Sequence, residues 1–275
     1  MDQVAQALVL GIVQGLTEFL PISSSGHLIL VPYLLGWNDP FLTSLAFSVV
    51  LHGGTLLALL VFFRHEWLRL IPAGLATLRD RSFAGDPARR LAWLIAAATV
   101  PAVIAGVLLN DVIEQSLREP GLVAVMLVVA AGVLWIADRL GRRVLHVDDL
   151  SFPAAFGIGV AQALALVPGV SRSGISISAG LFAGLDRESA ARFSFLMATP
   201  VTAGAVAYET LKLVRGETVE PTSVLPLVVG VVAAFVAGML AIGALLAYVR
   251  TRSYDVFVAY RLVLAAVVLV IWLRF

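Results

Sequence analysis

The chain has 275 residues, 60% of them hydrophobic and only 13% charged, with a net charge of +1 and no cysteine. Its mean hydropathy of +0.97 exceeds what one soluble core of this size could hide, so a soluble domain is excluded and an all-α polytopic membrane protein is expected. Without cysteine there is no disulfide framework, thiol nucleophile or thiolate metal site.

In chain order, the start Met1-Asp2-Gln3 lacks a basic region, and no small-residue cleavage site follows, so no removable signal peptide is expected. The next stretch, Gln14-Gly-Leu-Thr-Glu18-Phe-Leu-Pro-Ile-Ser23-Ser24-Ser25-Gly26-His27, sets a carboxylate, three serine hydroxyls and an imidazole among apolar residues. A carboxylate taken out of water needs a cation, a metal or a solvated cavity to compensate it. Around this cluster, roughly over 8–35, a helix of about a dozen residues, a Pro/Ser break and a second short apolar run predict a re-entrant helical hairpin.

Apolar runs at roughly 42–63, 91–109, 121–138, 189–211, 224–249 and 256–273 are each about long enough to cross a ~30 Å hydrocarbon layer, which gives six crossings. Arginines crowd the connections between them. Arg64, Arg69, Arg79, Arg81, Arg89 and Arg90 occupy one loop, Arg139, Arg142 and Arg143 a second, and Arg250 and Arg252 a third; 110–120 instead carries Asp111, Glu114 and Glu119 against Arg118. By the positive-inside rule the first three loops are cytoplasmic and the fourth external.

Near mid-chain, Pro168-Gly-Val-Ser171-Arg172-Ser173-Gly174-Ile-Ser176 repeats the first motif. A shift of 148 residues superposes Gly11 on Gly159, Gln14 on Gln162, Ser23 on Ser171, Ser25 on Ser173 and Gly26 on Gly174. Phe47-Ser48 and Phe193-Ser194 then open the next apolar span of each half. The chain therefore divides into repeats 1–150 and 151–275, each a re-entrant hairpin (about 8–35 and about 155–185) plus three crossings, within one membrane domain. Three is odd, so the second repeat is inverted relative to the first. That architecture is shared by many secondary transporters, which places transport beside catalysis as a reading.

Each Ser/Gly break precedes a short helix, whose start offers unpaired N–H groups to an anion. Adding the guanidinium of Arg172 makes phosphate the favoured ligand. Glu18, on the same helix face as Gln14, can hold a divalent cation, act as a general base or pair with Arg172. His27 can deliver a proton, attack phosphorus or hydrogen-bond Glu18. Arg261, about one turn into the last span, is read as an arginine that either functions or snorkels to the interface. His52, Gln162 and Glu209 are read as helix–helix contacts, and His65 and His146 as solvated.

At Gln14 to Glu18, Pro21 to His27 and Pro168 to Ser173 the chain resembles the undecaprenyl-pyrophosphate phosphatase family of bacterial inner membranes, also called the bacitracin-resistance protein family. The resemblance covers nearly the whole chain, and the two motifs together are specific. It implies hydrolysis of undecaprenyl diphosphate to undecaprenyl phosphate and inorganic phosphate, with a divalent cation such as Mg2+ or Ca2+. The catalytic set it implies is Glu18, Ser24, His27 and Arg172, with Glu18 also on the metal. Gln14, Ser23, Ser25, Gly26, Ser171, Ser173, Gly174 and Ser176 would line the substrate. Position 14 is Gln where many members have Glu, so Glu18 must do more, and Ser176 stands where the family often has Thr. Ser24, His27 and water stay open as the attacking group.

The partners expected are a polyprenyl diphosphate lipid and membrane lipids, with no nucleic acid, and a homodimer is left open. The expected location is the bacterial inner membrane, with the catalytic cleft facing the periplasm. The rival reading is a lipid-phosphate transporter or flippase, possibly as a second role.

Overall fold

The computed structural model describes residues 2–116, 119–215 and 224–274, and of 110–116 and 213–214 the backbone alone. Asp111, Glu114 and Arg118 of the acidic loop thus lie outside the described side chains. The described residues form eleven α-helices. Six are long and apolar enough to cross a membrane: α3 (Leu45–Phe62), α5 (Pro87–Ser116), α6 (Pro120–Leu140), α9 (Arg187–Val214), α10 (Val224–Val249) and α11 (Asp255–Trp272). These are the six runs expected from hydropathy, with ends shifted by a few residues.

Both polar motifs fold as short helices meeting at a break. The first consists of α1 (Gln3–Phe19) and α2 (Ser24–Leu35), the second of α7 (Phe152–Ala163) and α8 (Arg172–Phe182), with a 3-10 turn at Leu164–Leu166 between α7 and the break. Asp2 and Ser151 start α1 and α7 by accepting hydrogen bonds from the amides of Ala5 and Ala154. Proline stops the first arms. Leu20 precedes Pro21 with ψ 140° and Val167 precedes Pro168 with ψ 118°, the extended backbone that a following proline enforces.

One helix was not expected. The arginine-rich stretch read as a loop contains α4 (Arg64–Asp80). Leu70, Ala73 and Thr77 face the protein, while Leu68, Ile71, Leu75 and Leu78 form a second, exposed apolar stripe. The charges at 64–69 and 79–81 mask that periodicity when the segment is averaged as a loop.

Small residues set how closely the bundle packs. α1 lies along α10, and a Cβ on Gly15 would stand 2.5 Å from the Ala234 carbonyl oxygen and 2.6 Å from Ala237 Cβ. α7 lies likewise along α5, where a Cβ on Gly159 would overlap the backbone of Ala98. Without a hydrophobic drive between helices in lipid, such backbone contact supplies the van der Waals attraction. α3 packs on α9 and α10, and α6 on α11.

At the arginine-rich end the helix termini are bolted by ion pairs. Arg187 binds Asp138 through Nε at 2.6 Å and Nη2 at 3.1 Å, and the Tyr254 amide donates to the same carboxylate at 3.2 Å. Arg139 meets Asp255 at 3.0 Å, and Arg250 meets Glu188 at 2.6 Å. A cavity of about 500 Å³ at this end, lined by Glu66, Arg69, His146, Asp148 and Arg192, shares no residue with the two breaks.

Candidate functional site

The two breaks have nearly the same backbone. Ser23 and Ser171 both sit at φ 74°, in the left-handed region that costs a non-glycine residue about 1–3 kcal/mol. Each offsets that strain by capping the helix it starts: Ser23 Oγ accepts from the Gly26 amide at 3.3 Å, and Ser171 Oγ from the Gly174 amide at 3.1 Å. Each hydroxyl also neighbours the serine two residues on, Ser25 at 3.4 Å and Ser173 at 3.2 Å. The amides of Ser24 and Ser25, and of Arg172 and Ser173, occupy first-turn positions that have no partner within the helix.

The breaks also hold one another. The Gly169 amide donates to Ser23 Oγ at 3.2 Å, and Ser173 Oγ donates to the Leu20 carbonyl at 3.0 Å. Segments about 150 residues apart in sequence thereby become one polar floor, bringing the first residues of α2 and α8, Ser24 and Arg172, to a common carboxylate.

That carboxylate is Glu18, which is buried at the end of α1. Its Oε1 accepts from Arg172 Nη2 at 2.5 Å. Its Oε2 accepts from Ser24 Oγ at 2.5 Å and from Gln14 Nε2 at 3.0 Å, one turn back on α1. An imidazole nitrogen, His52 Nε2 on α3, lies 3.4 Å from the same Oε2. An uncompensated buried charge would cost several kcal/mol, and these contacts are its compensation.

The structure separates His27 from this carboxylate. Its Nδ1 lies 2.7 Å from the Ser23 carbonyl oxygen and its Nε2 lies 2.7 Å from the Tyr260 hydroxyl, whose ring stacks on it. A carbonyl only accepts, so Nδ1 carries the hydrogen and Nε2 receives the tyrosine O–H. Both nitrogens are committed, and His27 braces the first break.

Arg261 braces the second. It is fully buried, not snorkelling, and its Nη2 donates to the carbonyls of Gly169 and Val170, each at 2.7 Å. Tyr260 and Arg261, adjacent on α11, therefore support one break each. Ser176 bonds to the Arg172 carbonyl and to Ser194 on α9, both at 2.6 Å, which ties α8 to α9.

Among the expected site residues, Gln14, Glu18, Ser24 and Arg172 are in direct contact. Ser23, Ser25, Gly26, Ser171, Ser173 and Gly174 build the floor. From the sequence His52 is read only as a helix–helix contact, outside the catalytic set, and Tyr260 is given no role; the structure places His52 against Glu18 and Tyr260 against His27. The spacing of Ser48 and His52, one turn apart on an apolar span, was the available signal for the first; Tyr260, beside an arginine, gave almost none.

A divalent cation is a poor fit to these residues taken alone. Glu18 is the carboxylate of the cluster and both its oxygens already take N–H or O–H donors. No group of three His, Cys, Asp or Glu side chains suited to a metal ion occurs among the described residues. The expected role of Glu18 as a metal ligand does not suit this donor set.

A family model described as "Bacitracin resistance protein BacA" matches residues 7–267. The chain belongs to that family. Its relatives are similar over almost their whole length. The "Undecaprenyl-diphosphatase" of Gemmatimonas aurantiaca is 49% identical over 263 residues, 96% of each chain. That of Desulforudis audaxviator is 45% identical over 266 residues, 97% of each chain, and that of Moorella thermoacetica 45% over 272 residues, 98% of this chain and 99% of the relative. The BacA family match spans both breaks, five of the six apolar helices and α11 as far as residue 267, so the contacts around Glu18 lie wholly within the shared region.

Proposed function

We propose that this chain is an undecaprenyl-diphosphate phosphatase, cleaving the terminal phosphate to leave undecaprenyl phosphate and inorganic phosphate, and thereby recycling a cell-wall lipid carrier and conferring bacitracin resistance. The relatives' names agree with this reading. The observation that carries it is the joining of Ser24, Glu18 and Arg172, contributed by both breaks, at contacts of 2.5 Å.

Arg172 and the first-turn amides of α2 and α8 would receive the diphosphate oxygens, since guanidinium and helix starts both favour that anion. Ser24 is the better-placed nucleophile, because its hydroxyl already points at a base whereas both nitrogens of His27 are engaged. In the proposed step the Ser24 Oγ–P bond forms as the P–O bond to the bridging oxygen breaks, releasing undecaprenyl phosphate, and the hydroxyl proton passes to Glu18. Water then attacks the phosphoserine as the Oγ–P bond breaks, Glu18 returns its proton to Ser24 Oγ and takes up one from the water, and it then passes that proton to the departing phosphate, which restores the carboxylate. A magnesium or calcium requirement would reside in the diphosphate oxygens themselves.

The two halves are proposed to be inverted repeats. Both breaks share their φ values and caps, and each hairpin's first arm packs on a span of the other half, α1 on α10 and α7 on α5. With the arginine-rich end inside, the site would open to the periplasmic face of the inner membrane. A homodimer is compatible with this arrangement. A lipid-phosphate flippase would share the repeats but gives no reason to aim a serine at a carboxylate beside arginine.

Phosphate release from undecaprenyl diphosphate by detergent-purified protein tests the reading. Release that is lost in Arg172→Ala and Ser24→Ala, with rapid-quench trapping of phosphoserine in wild type, is expected. No release from folded wild-type protein would favour the transporter.

A further inference from the structure

His52 is a polar group beside Glu18 that the proposed reaction does not use. It projects from α3, and its side chain is 24% exposed where the neighbouring Glu18 is 5% exposed. Its Nδ1 lies 2.7 Å from the Ser48 carbonyl oxygen one turn earlier, an acceptor only, so Nδ1 carries a hydrogen. On the other edge Nε2 faces Glu18 Oε2 at 3.4 Å. A carboxylate oxygen also only accepts, so an attractive contact there needs a hydrogen on Nε2 as well. The ring is thus anchored at one edge and presents a donor at the other.

The oxygen it addresses is the one Ser24 addresses. Oε2 gathers Gln14 from α1, Ser24 from α2 and His52 from α3, while Oε1 is held by Arg172 from α8. If Ser24 gives its proton to Oε2, that oxygen has to stay within reach of the hydroxyl while the guanidinium pulls on the other. Gln14 shares a helix with Glu18 and moves with it. His52 holds Oε2 from a separate transmembrane span. Arg172 also acts on the ring electrostatically; among the described residues α10, which packs on α3, brings no ionisable side chain except Tyr248 near its far end, and Glu209 on α9 lines a small cavity with Val49 and Val50 of α3.

We infer that His52 is a positioning residue for the reaction, fixing Glu18 Oε2 toward Ser24 from α3. The inference rests on the phosphatase reading. It differs from the simpler view of His52 as a bolt between α3 and α1, which would make it matter for folding and not for turnover.

The experiment measures kcat and KM for phosphate release from undecaprenyl diphosphate by purified full-length wild type, His52→Leu and His52→Gln, with thermal unfolding of each. Loss of the donor in His52→Leu is expected to lower kcat about 100-fold and move KM less than about threefold, the signature of a contact that matters in the transition state. The amide of His52→Gln keeps an N–H donor and should restore kcat to within about tenfold of wild type. Wild-type kcat in folded His52→Leu with only a lower melting temperature, or equal impairment of the Gln and Leu variants, would overturn the inference. Should His52→Leu not fold, His52→Ala takes its place in the same comparison. An inactive wild type would instead remove the phosphatase reading and this inference with it; an active wild type matched by His52→Leu removes the role of His52 alone.

Discussion

Glu18 and Arg172 are 154 residues apart in sequence and meet at 2.5 Å, one at the end of α1 and the other at the start of α8. Neither half of the chain contains both, so the site exists only when the hairpins dock. Arg172→Lys should fail to restore function even though the charge is kept, because an ammonium cannot hold a carboxylate and phosphate oxygens with one planar fork. We expect kcat/KM to fall by about 100-fold or more, read by phosphate release from folded protein.

Ser24 and His27 should separate kinetically. Ser24→Ala removes the oxygen proposed to attack phosphorus and should leave about a thousandth of wild-type kcat or less. Tyr260→Phe removes only the hydroxyl that meets His27 Nε2 at 2.7 Å, and a loss of about tenfold is expected. Equal losses in the two variants would put His27 back at the reacting phosphorus.

Arg261 should matter for stability. Replacing it with Met strips the Gly169 and Val170 carbonyls of their shared donor in a buried position, at about 1–3 kcal/mol for each group left unsatisfied. The melting temperature of Arg261→Met in detergent should drop, and activity should fall with it because the second break loosens. An unchanged melting temperature would mean that the carbonyls find other donors.

Close packing of α1 on α10 is testable at one glycine. Gly15→Leu places a side chain where the Ala234 carbonyl oxygen and Ala237 Cβ already stand 2.5 and 2.6 Å from the Cβ position. Forcing the helices apart should displace Glu18, three residues on, so folded Gly15→Leu should lose activity even though no polar group of the site is changed.

Sidedness can be read with single cysteines, since the chain has none of its own. Asn38→Cys and Ala84→Cys both fall at exposed positions, the first after α2 and the second between α4 and α5. A membrane-impermeant thiol reagent applied to intact cells should label Asn38→Cys and spare Ala84→Cys. The opposite pattern would turn the site toward the cytoplasm.

The sequence by itself determined the membrane class, the six spans and the two breaks. Those features depend on local composition: apolar runs of spanning length, prolines that force extended backbone, and serines that cap the helix following them. The resemblance of the motifs also pointed to Glu18, Ser24 and Arg172. What it could not determine was adjacency. His27 lies nearer Glu18 in sequence than His52 does, yet His52 contacts the carboxylate, because α2 turns the His27 ring toward α11 while α3 brings His52 alongside α1. From its place near the start of a span Arg261 could be read either as functional or as snorkelling to the interface, and the docking of α8 and the second break buries it completely. α4 was hidden for a related reason: its charges dominate the composition of the segment, and only packing against α5 distinguishes its inward face. Which imidazole meets which carboxylate is settled by the relative rotation of whole helices, and that rotation is set by long-range contacts such as Gly15 on α10, which no local pattern encodes.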